Sequence, residues 1–182
     1  MSSNSFLYRQ TPNLITAARI ALVPVVLWLI LGFWESDLGR VIALVLLVLA
    51  ASTDGIDGAI ARKRNLVTNL GKLLDPIADK ALLSGSLIAL SIIGQVQWWI
   101  TIAILLRELG ITVYRLVVAK RKVIAASSGG KFKTVLQIIA ISLAIAPFDF
   151  LGSWYQTFVY LVLVFTVVIT WYTGISYLRP RK

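Results

Sequence analysis

Long apolar stretches, separated by short polar segments, run through most of the chain. Each contains about 20 residues, the length that an α-helix needs to cross the hydrocarbon core of a membrane. We predict six spans, at residues 13–33, 40–61, 71–94, 98–119, 134–150 and 154–178. Residues 6–9 before them have the composition of a short amphipathic segment at the membrane interface. The pattern predicts an all-α integral membrane protein in which residues 1–182 form a single domain.

Basic residues gather in alternate connections between the predicted spans. They cluster in residues 62–72, in residues 120–133 and at the C-terminus. The other connections hold few charges: Glu35, Asp37, Arg40 and Asp149. Lysine and arginine accumulate on the cytoplasmic side of membrane proteins. We therefore expect both termini and the connection between the second and third spans to face the cytoplasm, in a bacterial inner membrane.

The amino-acid composition limits both the class of protein and the kinds of catalytic or metal site that the chain can form. With 58% hydrophobic residues in 182, the chain is typical of a polytopic membrane protein. It contains no cysteine and no histidine, which excludes disulfides, thiol nucleophiles and zinc sites built from these residues. A bound metal would need oxygen ligands, as Mg²⁺, Mn²⁺ and Ca²⁺ do. The net charge of +10 fits the topology and an attraction to anionic lipids or phosphates, and its placement in short loops argues against nucleic acid.

Four aspartates occupy the second and third predicted spans: Asp54, Asp57, Asp75 and Asp79. A carboxylate at membrane depth costs roughly 2.5 kcal/mol or more, so it needs a partner or a function. Helical periodicity places each pair on one stripe, with Asp54 and Asp79 each about 12 Å from the predicted helix ends. An antiparallel helix pair would then bring all four carboxylates to a similar depth. One or two divalent cations would compensate them, although nearby lysines and arginines, or a cation pathway in a transporter, are alternatives at this point.

The whole acidic run reads D-x-x-D-G-x-x-A-R, then eight residues, then G-x-x-x-D-x-x-x-D. This run resembles the signature of the CDP-alcohol phosphatidyltransferase family, with every fixed position filled. The resemblance implies that the diphosphate of a CDP-linked lipid, usually CDP-diacylglycerol, binds on two Mg²⁺ or Mn²⁺ ions held by the four aspartates. An alcohol then attacks the phosphorus, and CMP leaves. It also implies that Asp79 accepts the alcohol proton, and that the chain forms a homodimer. The implied CDP-lipid site consists of Gly58, Ala61, Arg62, Thr68 and Gly71.

Three further segments, at residues 11–19, 106–115 and 129–137, resemble members of that family whose acceptor is sn-glycerol 3-phosphate. By this resemblance the expected lipid product is phosphatidylglycerophosphate. The first segment suggests a recognition element formed by Asn13, Thr16 and Arg19. The other two supply four cations that we predict to bind the acceptor phosphate: Arg107, Arg115, Lys131 and Lys133.

Other interpretations stay open at this stage. Lys131 and Lys133 are also explained by the positive-inside rule, and Arg107 has Glu108 as a possible partner, although adjacent side chains diverge on a helix. Within the family, an inositol phosphate acceptor or a cardiolipin synthase of the CDP-alcohol type are the alternatives. Outside it, a cation or proton transporter would use the same aspartates. An intramembrane prenyltransferase also pairs aspartates with Mg²⁺, but the intervening Gly-x-x-Ala-Arg argues against it.

Overall fold

The computed structural model describes residues 18, 20–64, 69–119 and 128–178, with side chains for 18, 20–52, 80–114 and 132–176. All regular structure in these residues is helical. The helices are α1 (Ile20–Gly32), α2 (Asp37–Arg64), α3 (Asn69–Ile92), α4 (Trp98–Ala119), α5 (Ser128–Ile145) and α6 (Ser153–Leu178), with a 3₁₀ turn at Asp149–Leu151. The six predicted helices are confirmed. The predicted interfacial segment at residues 6–9 lies outside the described residues.

The fifth helix differs from its prediction at both ends. It was expected at residues 134–150, but it begins at Ser128 and ends at Ile145. The apolar pattern missed its first turns because they carry glycine and lysine. Its end is set by Pro147, which restricts the preceding Ala146 to non-helical conformations. Ala146 closes the last turn by donating its N–H to the Ser142 carbonyl at 3.0 Å.

Polar residues and glycine define two other helix boundaries. Ser36 precedes α2, and its hydroxyl accepts the Gly39 N–H at 3.3 Å, as an N-terminal cap does. After α3, Gly94 adopts a φ of +79°, the left-handed conformation that glycine tolerates. This turn lets the Gln95 N–H reach back to the Leu90 carbonyl at 2.9 Å. This turn ends α3, and five residues separate α3 from α4.

Two compact units divide the chain, and the first covers Met1–Ala89. Its core contains Val26 and Ile30 of α1 and a helical stripe of α2 that includes Ala43 and Leu47. Gly85 of α3 lies so close to α1 that an added Cβ would be 3.1 Å from Leu27 Cδ2. At the start of α2, the buried Arg40 guanidinium lies 4.3 Å from the centre of the Trp34 ring, a cation–π contact.

The second unit, Leu90–Lys182, contains α4, α5 and α6. The buried stripe of α6 shows how polarity changes along the interior of this unit. It is apolar at Tyr155, Val159 and Leu163 and becomes polar at Thr166 and Thr170. The buried stripes of α4 and α5 also include polar residues, among them Arg107, Lys133 and Gln137. The interior of this unit therefore has an apolar part and a part that carries charge.

The outward faces of the second unit are strongly apolar. Leu106 and Leu109 on α4 are each 61% exposed, and Phe132, Leu161 and Val168 on α5 and α6 are exposed as well. In the described residues one helix, Ser153–Ser176, is by itself long and apolar enough to cross a membrane, and shorter apolar helices occur at Ile20–Gly32, Lys80–Ile92 and Phe132–Ile145. An interior that holds charge beneath an apolar exterior is typical of a membrane protein.

Candidate functional site: an acidic helix pair and a buried cation cluster

The acidic motif lies on two helices of the first unit. Asp54 and Asp57 fall ten and seven residues before the end of α2, which runs unbroken through both. Asp79 and Asp75 fall ten and six residues after the start of α3. At about 1.5 Å per residue, Asp54 is about 15 Å from the end of α2 and Asp79 is about 15 Å from the start of α3. The helical placement of all four aspartates is confirmed. Their similar depth stays a prediction.

The donor chemistry of this motif suits a hard divalent cation. Four carboxylates supply only oxygen, and the chain has no histidine or cysteine to favour a softer metal. The side chains of these aspartates are outside the described set, and among the side chains that are described no group of three or more acidic ligands lies together. Ligation of metal by the four residues stays a prediction.

Most of the residues predicted to bind the CDP-lipid lie on the same two helices as the aspartates. Gly58, Ala61 and Arg62 lie on α2 and Gly71 lies on α3, so the predicted helical context holds for these four. Thr68 falls between the helices, outside the described residues. The possible recognition element of the first span, Asn13, Thr16 and Arg19, is also outside them.

Arg107 is the best-defined functional candidate in the second unit. It is 7% exposed, and three of its nitrogens donate hydrogen bonds. Nε donates to the Thr170 carbonyl at 2.8 Å, Nη2 to the Thr173 hydroxyl at 3.1 Å, and Nη1 to Glu108 Oε1 at 2.9 Å. Two of these bonds reach α6, so the guanidinium is fixed between α4 and α6. Arg107 and Glu108 are therefore paired, although adjacent side chains on a helix start in diverging directions.

Lys133 of α5 joins the same carboxylate. Its Nζ donates to Glu108 Oε1, the oxygen that also receives Arg107 Nη1. Lys133 is 7% exposed, and its side chain enters the interior of the unit. A single carboxylate oxygen therefore links cations from two helices. We call Arg107, Glu108 and Lys133 the cation cluster, which carries one net positive charge in its ionised form.

Helix α6 makes contacts with Arg107 that we did not predict from the sequence. Thr170 and Thr173 accept its hydrogen bonds, and Gly174 lies directly against it. An added Cβ at Gly174 would be 3.0 Å from Arg107 Nε. The available signal was the helical stripe of Thr166, Thr170 and Gly174 in a mostly apolar helix. On its own, such a stripe is also typical of helix packing.

The donor groups of the cation cluster have the chemistry that anion binding requires. Guanidinium and ammonium groups make strong, charge-assisted hydrogen bonds to phosphate oxygens, and burial strengthens their attraction. Arg107 has five N–H donors, of which three are engaged in the bonds described above. The other two predicted acceptor residues, Arg115 on α4 and Lys131 on α5, have helical positions but lie outside the described side chains.

Comparison with known proteins gives a consistent result over nearly the whole chain. Residues 9–172 match the family model for CDP-alcohol phosphatidyltransferase. A relative from Mycobacterium tuberculosis, named probable phosphatidylglycerophosphate synthase, is 42% identical, with 91% of this chain and 78% of the relative covered. Relatives named CDP-diacylglycerol–glycerol-3-phosphate 3-phosphatidyltransferase are 40% identical in Bacillus subtilis (88% and 91% covered) and 41% identical in Rickettsia bellii (94% and 94% covered).

Proposed function

The chain belongs to the CDP-alcohol phosphatidyltransferase family, and we propose that it transfers a phosphatidyl group from CDP-diacylglycerol to sn-glycerol 3-phosphate. The products are phosphatidylglycerophosphate and CMP, in the biosynthesis of anionic phospholipid. The observation that carries this proposal is the identity of about 40% with relatives named for that reaction, over most of both chains. Membership of the family also sets aside the transporter and the prenyltransferase.

The acidic motif has a defined task in this reaction. The hydroxyl oxygen of the acceptor forms a bond to the phosphorus that bears the diacylglycerol oxygen, while the bond from that phosphorus to CMP breaks. Members of this family generally use divalent metal ions. When bound, two such cations, Mg²⁺ or Mn²⁺, would neutralise the diphosphate and stabilise the leaving CMP. We assign their ligation to Asp54, Asp57, Asp75 and Asp79, and the acceptance of the hydroxyl proton to Asp79.

The remainder of the motif would hold the nucleotide end of the donor. Gly58, Ala61 and Gly71 carry little or no side chain, which permits a ligand to approach the helix backbone closely. Arg62 can contact a phosphate with two parallel hydrogen bonds. We retain Thr68 in this set on the family resemblance alone, and the same holds for Asn13, Thr16 and Arg19 as a recognition element near the start of the chain.

A phosphorylated acceptor matches the cation cluster. Arg107 and Lys133 are buried and share the carboxylate of Glu108, so the cation cluster as defined carries one net positive charge. Such an arrangement favours an anionic ligand, and a phosphate offers several oxygens to the guanidinium and ammonium donors. We propose that these two residues, with Arg115 and Lys131, bind the phosphate of glycerol 3-phosphate. Free inositol carries no charge and serine carries only one carboxylate, so neither acceptor needs so many cations.

We further propose that all six helices span the membrane, with both termini and the acidic motif on the cytoplasmic side of a bacterial inner membrane. The exposed apolar faces of α4, α5 and α6 support embedding in lipid, and the distribution of lysine and arginine supports the orientation. The family match extends across both compact units, which supports one functional domain. Homodimer formation is proposed from the family resemblance.

The test is an acceptor panel. Purified protein in detergent would receive CDP-diacylglycerol, Mg²⁺ and one acceptor at a time: glycerol 3-phosphate, inositol phosphate, phosphatidylglycerol, inositol or serine. We expect CMP release with glycerol 3-phosphate, abolished by EDTA and restored by excess Mg²⁺ or Mn²⁺. CMP release with a different acceptor alone would contradict the proposed substrate while leaving the reaction type intact.

A further inference from the structure

Glu108 is a part-buried carboxylate to which the proposed reaction assigns no task. Its side chain is 12% exposed, and its Oε1 contacts both Arg107 and Lys133, whose side chains are 6% and 8% exposed. These three residues come from two helices, and Arg107 is bonded in addition to a third, α6. Glu108 Oε1 therefore accepts hydrogen bonds from Arg107 of α4 and Lys133 of α5.

Without the Glu108 carboxylate, Arg107 and Lys133 would repel each other and Lys133 would be less well ordered. Like charges held close together in a buried site repel each other, and each loses hydration on burial. Lys133 carries its charge on a flexible stem, which adopts many rotamers unless a partner fixes it. Arg107 would keep its bonds to Thr170 and Thr173 of α6, but its Nη1 would lose an ionised acceptor. A negative group at this point both compensates the charges and sets the separation of the donors.

We propose that Glu108 is a positioning residue for the acceptor: it holds Arg107 and Lys133 in the arrangement that receives the acceptor phosphate. The inference rests on the proposed function, since it assigns the phosphate to these cations. Glu108 acts through its two partners and does not itself contact the substrate, because a carboxylate would repel a phosphate dianion. Donors ordered in advance lose less conformational entropy when the ligand binds, which raises affinity.

The direct perturbation is Glu108→Gln, which preserves the shape of the side chain and removes its charge. We expect the KM for glycerol 3-phosphate to rise about tenfold, equivalent to about 1.4 kcal/mol. The KM for CDP-diacylglycerol and the kcat at saturating acceptor should stay within about twofold of wild type, since a positioning role for the acceptor concerns ground-state binding. The Ki of inorganic phosphate as a competitor of the acceptor should rise by the same factor as the KM.

Two further variants identify the route of the effect. Glu35→Gln makes the same chemical change at an exposed site in the other compact unit, and it should leave both KM values unchanged. Lys133→Met removes one of the two partners. If Glu108 acts through Lys133, adding Glu108→Gln to Lys133→Met should raise the acceptor KM by clearly less than it does in wild type.

An unchanged acceptor KM in Glu108→Gln would overturn the inference, as would an equal rise in both KM values or a loss confined to kcat. If Glu108→Gln does not yield monodisperse protein, Glu108→Asp serves instead: its shorter stem should raise the acceptor KM several-fold, and a wild-type value would overturn the inference.

Assays of the wild-type enzyme with different acceptors test the proposed function separately from the role of Glu108. Turnover with inositol phosphate would correct the substrate, and the same KM ratio would then be measured with that acceptor. Turnover with an unphosphorylated acceptor alone would overturn both proposals.

Discussion

Gly174 offers a sharp test of whether the position of Arg107 determines acceptor affinity. It is buried on α6, and an added Cβ would lie 3.0 Å from Arg107 Nε and 3.4 Å from Cγ. These separations are tighter than ordinary contacts, so Gly174→Ala should push the guanidinium by a few tenths of an ångström. The group displaced is the Nε donor, whose hydrogen bond to the Thr170 carbonyl measures 2.8 Å.

The size of the effect follows from that hydrogen bond. Bonds that involve a charged group contribute about 1.5–3 kcal/mol, so a partial loss corresponds to about 1 kcal/mol. If the displaced guanidinium binds the acceptor phosphate less well by this amount, the KM for glycerol 3-phosphate should rise about fivefold. The KM for CDP-diacylglycerol should not change, because Arg107 is assigned to the acceptor alone.

Gly110→Ala is the matched control. Gly110 lies on α4, is exposed, and an added Cβ there meets nothing within 4 Å. Both substitutions gain the same advantage in helix formation, about 0.5–1 kcal/mol, so a difference between them isolates the contact with Arg107. The assay is CMP release at varied acceptor concentration with saturating CDP-diacylglycerol. Equal KM values for glycerol 3-phosphate in Gly174→Ala, Gly110→Ala and wild type would refute the reasoning.

Three other predictions concern separate parts of the molecule. Asp79→Asn should abolish turnover while some binding of CDP-diacylglycerol persists, and retained turnover would remove its role as the proton acceptor. Asp57→Asn should lower activity and shift the Mg²⁺ titration to higher concentration, whereas an unchanged titration would contradict ligation. Thr101→Val removes the side-chain partner that Ser91 holds at 2.7 Å in the interior. It should destabilise the protein by about 1–3 kcal/mol, measured as a lower thermal midpoint. Thr101→Ser keeps the hydroxyl and should lose only about 0.8 kcal/mol, for the buried methyl group.

The helices were accessible from the sequence because lipid imposes a simple constraint. A span must satisfy its backbone hydrogen bonds internally and present apolar side chains over about 20 residues, so its length and hydropathy predict it. The fourth helix agrees with its prediction at both ends, Trp98 and Ala119. The fifth did not agree, because hydropathy reports neither the polar turns that begin at Ser128 nor the restriction that Pro147 places on its end.

The cation cluster was only partly accessible from the sequence. Its depth in the predicted fourth span singled out Arg107, and Glu108 was a possible partner. The bonds of Arg107 to α6 and of Lys133 to Glu108 depend on tertiary contacts that no local pattern reports. The rule that adjacent helical side chains diverge describes their initial directions, whereas the long arm of Arg107 brings Nη1 back to Glu108 at 2.9 Å. Thr170 contributes its backbone carbonyl, a group that every residue possesses, so its sequence carries no signal for this role.

The most direct test of the proposed function follows the acceptor into the lipid product. Purified protein would be incubated with CDP-diacylglycerol, Mg²⁺ and radiolabelled glycerol 3-phosphate, with CMP and chloroform-soluble label measured in the same samples. We expect equal molar amounts of CMP and labelled lipid at every time point, and neither in the presence of EDTA. CMP release without label in the lipid phase, or no metal-dependent release at all, would contradict the assignment as a glycerol 3-phosphate phosphatidyltransferase.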